Sequence, residues 1–423
     1  MKKFLAGLIL TTLSLFGQTE PDNPPVVPIM PFRSEIISFP RVDGEFSVYY
    51  TFKVPYRLLV FERNDNSFIA GFRIIVEILD EDSRLVTRDI KDSKVSVNNF
   101  DSTNDNNLFL QNFLSFKVKP GEYKVAAFIS DKNSSGELPL KPVELILEED
   151  KVVLHPLVIK TNELICEEQK SFELTNAGGK IPFSSETYHL IIPVRDTSVS
   201  QLTISIENNE EEIISTELNE FYILPPGINK CEEQISVTKN QANLLLKNFI
   251  LHDVNKNLSE GEVVLTVVNE EKSIDEEFRS QIVWFNKPFS LMDPEKAIEN
   301  LSFIASDSII YTLLQESTSD YPNVLSEYWK KYDPTPETVF NEVMSEYYKR
   351  IDYAIKEFKG IGKINGAKTD RGVVYIKFGH PEKIERSSNS MGQIVETWTY
   401  AKPDRIFSFI DKDGKGNFNL SEN

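Results

Sequence analysis

The chain is 423 residues long, enough at about 100 to 200 residues per domain for two to four domains. Its 46 Lys and Arg stand against 65 Asp and Glu, and the formal charge of -19 sets it against phosphate backbones and anionic lipid, so no nucleic-acid partner is expected. With 40% hydrophobic and 11% aromatic residues there is apolar side chain for several cores, which excludes wholesale disorder.

Lys2 and Lys3 open the chain, an uncharged apolar run occupies residues 4–16, and Gly17 and Gln18 follow. This three-part pattern predicts a secretory signal peptide over residues 1–17, cleaved near Gly17. The run is shorter than the roughly 20 apolar residues of a membrane span. No cysteine lies near the cleavage position, so a lipoprotein anchor is not expected, and no later stretch is long and apolar enough to cross a membrane. The expected location is the periplasm, the outer-membrane periphery or the extracellular space. Residues 18–28, rich in Pro, Asp and Asn, read as an extended leader.

Alternating β-branched and aromatic runs then begin. Residues 45–54, 56–62, 68–79, 109–118 and 122–129 are strand-like, with Asn, Asp, Gly and Pro between most of them. They predict an antiparallel, Ig-like β-sandwich over residues 29–150. Residues 152–159, 187–194, 201–207, 211–218 and 261–268 predict a second such sandwich over residues 151–287. It holds both cysteines, Cys166 and Cys231, and an oxidising compartment permits a disulfide between them; the sequence leaves their pairing open.

Near Pro288 the hydrophobic period changes from two to about 3.6. Asp293 and Pro294 form a helix start, an N-cap followed by Pro at the first helical position. Further helical stretches are expected over residues 307–316 and 321–331. After Thr335 and Pro336 the stripe Phe340, Val343, Met344, Tyr347, Ile351, Ala354, Ile355 and Phe358 predicts a long helix, ended by Gly360 and Gly362. Residues 372–378, 394–400, 406–410 and 418–420 then read as strands. Residues 288–423 are therefore expected to form an α+β domain, helices followed by a small antiparallel sheet, with a hinge to the β part near Pro288.

In this last segment the run Tyr328-Trp329-Lys330-Lys331-Tyr332-Asp333-Pro334-Thr335-Pro336 is followed by Thr338, Asn341, Glu342, Tyr347, Arg350, Ala354 and Phe358. Then come Gly366-Ala367-Lys368-Thr369-Asp370-Arg371-Gly372, the turn Gly379-His380-Pro381, and Glu396-Thr397-Trp398-Thr399-Tyr400. These blocks, in this order over residues 293–423, resemble the GWxTD domain of exported bacterial proteins, with Ala367 where the name-giving motif has Trp. The resemblance implies β-rich units ahead of the domain and no particular activity.

The candidate binding residues are Trp329, Asp333, Thr335, Glu342, Arg350, Thr369, Asp370 and Arg371, on two loops flanking the long helix. Asp370 could act as a base and Arg371 as an anion clamp, but without a nearby His the residues read better as loop shapers, with Arg371 paired to a carboxylate such as Glu342. Glu346 and Arg350 suit an i,i+4 ion pair. Asp411, Asp413, Gly416, Phe418 and Glu422 fit an EF-hand frame, yet Lys415 stands where an oxygen ligand belongs and a strand precedes the loop, so a β-hairpin turn is preferred. His155, His189, His252, His380 and the two cysteines lack zinc spacing, and no nucleotide or nucleophile motif occurs; no cofactor and no metal are expected. The preferred reading is an exported cell-envelope interaction or scaffolding protein, its partner an envelope protein or glycan. The alternative is a secreted carboxylate-dependent hydrolase or carbohydrate-active enzyme using Asp370, Glu342 or Glu396.

Overall fold

The structure, a computed structural model, describes residues 32–421 apart from 106, 135, 167–168, 360–364 and 403. The expected signal peptide and leader, the helix stops Gly360 and Gly362, and Glu422 lie outside the described residues. The fold is mostly β, with several antiparallel sheets, a few helices and a small C-terminal sheet.

The alternation of the first β-rich part builds two sheets around one core. Strand β1 (Arg33–Pro40) pairs with β2 (Phe46–Pro55), and β2 pairs with Phe109–Val118. Facing them is a sheet centred on Ser67–Leu79 and Gly121–Asp131. Phe46, Val48, Tyr50, Phe52 and Val54 point from β2 into the shared core. The polar strand Leu85–Val97, invisible as an alternating pattern because most of its side chains are exposed, is the antiparallel partner of Ser67–Leu79. Residues 56–62, expected as a strand, instead turn through a 3-10 helix at Tyr56–Leu58 before the short strand Glu62–Asn64, because Pro55 ends the β2 ladder.

The other face of β1 and β2 is also buried. Ile37, Phe39 and Tyr49 pack with Leu157, Ile159, Phe172, Ile191 and Ile250 of the second β-rich part. A strand packed on both sides has no solvent-exposed face, which explains the near-continuous burial of β2. Buried polar contacts fix the junction: Ser47 Oγ donates to Asn243 Oδ1 (2.6 Å), and Asn176 Nδ2 donates to the Phe52 carbonyl (2.9 Å). The second part has a seven-stranded sheet, with Leu157–Cys166 near its centre, and a five-stranded sheet around Gly261–Asn269, in which Ile181–Pro182 pairs parallel with Ile274–Val283.

The core between those two sheets continues without a break into the helices, from Ile192, Ile204 and Leu265 through Trp284 to Ile298, Leu325, Tyr348 and Ile351. Pro288, the expected hinge, is followed by a 3-10 turn (Phe289–Leu291) whose Phe289 and Ser290 N–H groups both donate to the Asp352 carboxylate. The helices are α1 (Pro294–Glu299), α2 (Asp307–Leu313), α3 (Tyr321–Lys330), α4 (Glu342–Glu357) and α5 (Asp370–Phe378). Asp293 caps α1 as expected, Oδ1 accepting from Lys296 N at 3.3 Å. Helix α4 starts later than its stripe suggests: Asn341 is its N-cap, accepting from Met344 N at 2.8 Å, and Thr335 to Phe340 form a loop.

Residues 372–378, expected as a strand, are helix α5. Gly372, Val374 and Ile376 are buried at a spacing of two because the helix is wedged between two cores: Ile376 joins the large one, and Val374 joins Trp398, Tyr400 and Phe409 of the final sheet. This β-like alternation came from position, and tertiary packing overrode the β propensity of the Val-Val-Tyr-Ile run. The final sheet, Lys383–Ser388, Ile394–Tyr400, Arg405–Asp411 and Phe418–Leu420, is an antiparallel meander.

Candidate functional site

Two grooves flank the first turns of α4, and Glu342 and Glu346 line both. The smaller, about 530 Å3, gathers the expected Trp329, Glu342 and Arg350 with Tyr332 and Tyr347. Trp329 is buried among Tyr328, Tyr347 and Tyr348, at centroid distances of 5.6, 5.0 and 6.0 Å, so it belongs to the core more than to a binding face. Glu342 accepts from Thr335 Oγ1 (2.7 Å), Asp333 Oδ1 accepts from Thr335 N (3.0 Å), and Arg350 Nε donates to Glu346 (2.7 Å). These are loop and helix fastenings of ordinary kind.

Thr369, Asp370 and Arg371 are not in that groove. Gly366 and Ala367 are buried in a 3-10 turn rather than presented on a loop, since a Cβ at Gly366 would collide with the carbonyl of Ala354 on α4. Thr369 Oγ1 donates to Gly366 O (2.7 Å) and accepts from Gly372 N (3.1 Å), capping α5. Thr369→Ala should therefore lower stability by about 1 kcal/mol in a denaturant titration, with Thr369→Ser near wild type. Asp370 Oδ2 accepts from Leu420 N at 2.6 Å, tying the last strand to α5. Arg371 pairs with Glu396 (3.5 Å), not Glu342, and lies over Phe418 at 4.2 Å. Glu396, 2% exposed, also accepts from Arg386 Nε and Trp398 Nε1, both at 2.8 Å.

At the expected calcium frame, Asp411 Oδ2 accepts from Gly416 N (2.8 Å) and Oδ1 from Lys415 N (3.1 Å), inside a hairpin with Gly414 and Gly416 at positive φ. The carboxylate is occupied by the turn it shapes. Cys166 and Cys231 are buried and no disulfide joins them, Cys231 Sγ lying 4.0 Å from Ile165 O.

The larger groove, about 810 Å3, lies where the β-rich parts and α4 meet, and sequence reasoning missed it. Arg33 on β1 stands directly opposite Lys53 on β2, which stands opposite Gln111 on the next strand. Phe109 underlies both cations, 5.5 Å from Arg33 and 4.6 Å from Lys53, and Phe285 stacks on Arg33 at 3.6 Å. Across the groove Lys160 is paired with Glu173 (3.4 Å) and Glu186 (3.3 Å), and Tyr188 Oη donates to Glu186 (2.9 Å). Burial pushes the Arg33 guanidinium down to about 10. Burial, with Arg33 and Lys160 nearby, pushes the Lys53 ammonium down to about 8, against the charges of Glu173 and Glu186.

Glu35, two residues along β1 from Arg33, is pushed up to about 7 by burial, against one N–H from Gly179. An acid raised this way favours the folded state while protonated: that advantage is full below its ordinary pKa and is lost as pH rises through 7. Glu35→Gln should match wild-type stability at pH 4 and exceed it at pH 8 by on the order of 2 kcal/mol, read from denaturation at both pH values.

The GWxTD domain family matches residues 267–421. The chain carries a GWxTD domain. The match begins inside the strand Gly261–Asn269, so the GWxTD domain takes in Ile274–Val283 of the five-stranded sheet as well as the helices. Its name-giving segment is here the Gly366–Lys368 turn with the Thr369 cap; Gly366 and Ala367 are buried, and Ala367 sits in the large core. No curated protein matches the chain. Among solved structures, titin Ig tandem domains A164-A165 align at 8% identity over 60% of this chain and 98% of that one, with a TM-score of 0.12. Likeness that slight carries no argument.

Proposed function

We propose that this chain is an exported cell-envelope protein acting as a non-catalytic interaction module. In this reading a signal peptide over residues 1–17 directs it across the inner membrane. Two Ig-like sandwiches, over residues 29–150 and 151–287, and the C-terminal helical domain then hold a partner protein in the groove they jointly line. The carrying observation is the composition of that groove: β1, β2, the loop at Ser184 to Glu186, Phe285 and α4 all contribute walls. Of the three carboxylates that a carboxylate-dependent hydrolase would use, Asp370 holds Leu420, Glu396 holds two arginines and a tryptophan, and Glu342 accepts from Thr335 Oγ1. Among the described residues no helix is long and apolar enough to cross a membrane. In vivo crosslinking followed by affinity capture from the envelope tests the proposal. One partner should be recovered reproducibly and be lost when Ser185 and Lys349 on the groove rim are replaced by bulky or opposite-charge residues. Equal recovery with the rim variants would contradict it.

A further inference from the structure

The chain carries a strong negative charge, yet the groove shared by β1, β2 and α4 holds two cations, Arg33 and Lys53, that form no salt bridge among the described residues, Glu173 and Glu186 acting on Lys53 only from beyond contact. Arg33 and Lys53 are cross-strand neighbours, an arrangement that like charges ordinarily destabilise. Arg33 is 8% exposed, and among the described residues its Nε and Nη2 are buried without a hydrogen-bond partner. A buried donor left unsatisfied is costly, and more so when charged. The two orphaned donors are also the adjacent pair on one edge of the guanidinium, the fork that receives both oxygens of a carboxylate. Phe285 and Phe109 flank the guanidinium, and because Nε and Nη2 are themselves buried a carboxylate reaches the fork as the side chains over it shift. Lys160, by contrast, is already neutralised by Glu173 and Glu186, which also stand against a multiply charged anion.

We infer that the Arg33 and Lys53 pair is a carboxylate-binding site, taking the C-terminal carboxylate or an acidic side chain of a partner polypeptide seated in the groove. Arg33 would receive both carboxylate oxygens on Nε and Nη2, and Lys53 would supply the second charge. A neutral glycan would leave both cations unpaired, so the chemistry favours a peptide over a sugar. The inference rests on the groove being the partner site and adds the class of ligand that site reads.

The test uses the full mature chain and three short N-acetylated peptides by isothermal titration: one free of Asp and Glu with a free C-terminus, its C-terminal amide, and an amide carrying one internal Glu. One or both carboxylate-bearing peptides should bind at least about tenfold more tightly than the neutral amide, and which of them does so identifies the source of the carboxylate. Arg33→Met and Lys53→Met should each remove that difference. Without peptide, Arg33→Met should raise the melting temperature or leave it unchanged, since it relieves an unpaired buried charge. Equal binding of all three peptides, or a lower melting temperature in Arg33→Met with carboxylate preference intact, would overturn the inference and make Arg33 a structural strut. Envelope capture that persists in Arg33→Met but fails with the rim variants would sink the ligand class alone. Capture indifferent to both would sink the groove.

Discussion

Trp329→Ala is expected to destabilise the protein by about 4 kcal/mol, the cost of emptying a buried indole site that the surroundings cannot refill. The side chain is 2% exposed and lies against Tyr328, Tyr347 and Tyr348. Losing the indole opens the packing of α3 against α4, while the Trp329 backbone carbonyl keeps its hydrogen bond from Asn341 Nδ2 (3.1 Å). Tyr332, on the same groove and about half exposed (48%), is the internal comparison: Tyr332→Ala should cost under about 1 kcal/mol. Denaturant unfolding of the two variants separates a core tryptophan from a binding platform. Similar small losses in both would mean that Trp329 is less embedded than its packing indicates.

Glu396→Ala is expected to cost about 3 to 4 kcal/mol, because it leaves Arg371 buried without its carboxylate and Trp398 Nε1 without an acceptor. The Arg371 pKa is already lowered, by burial first, with the Glu396 charge acting to hold it up. Glu396→Gln should fall between, retaining an acceptor for Trp398 but not the charge. Arg386 is largely exposed, so its share of the loss is small. If Glu396→Ala left thermal stability intact, the structural role assigned to this carboxylate would be untenable, and its candidacy as a reactive group would revive.

What the sequence disclosed follows from the range of each interaction. The cap at Asp293, the apolar stripe of α4 and the strands 394–400 and 406–410 are set by neighbours within a few residues, so spacing alone identifies them. Helix α5 was misread because its burial pattern is imposed by cores on either side, one supplied by α4 and one by Trp398 and Phe409. The polar partner strand Leu85–Val97 has too little buried surface to leave an alternating signature. Among the candidate site residues, the types were recognisable but their partners were not: Arg371 finds Glu396, and Asp370 finds Leu420, through contacts that close only once the last sheet folds against α5. The Arg33 and Lys53 pair was out of reach for the same reason. Its existence depends on the register of β1 with β2, and its stacking partner Phe285 arrives from the far end of the β-rich part.

In the proposed arrangement a partner binds in the groove shared by β1, β2 and α4. A photo-crosslinking residue at Lys349, on the groove rim, and another at Lys91, on the strand Leu85–Val97 away from it, put this to the most direct test in intact cells. A discrete adduct is expected from Lys349 and none from Lys91; adducts from Lys91 alone, or equal adducts from both positions, would rule the groove out as the partner site.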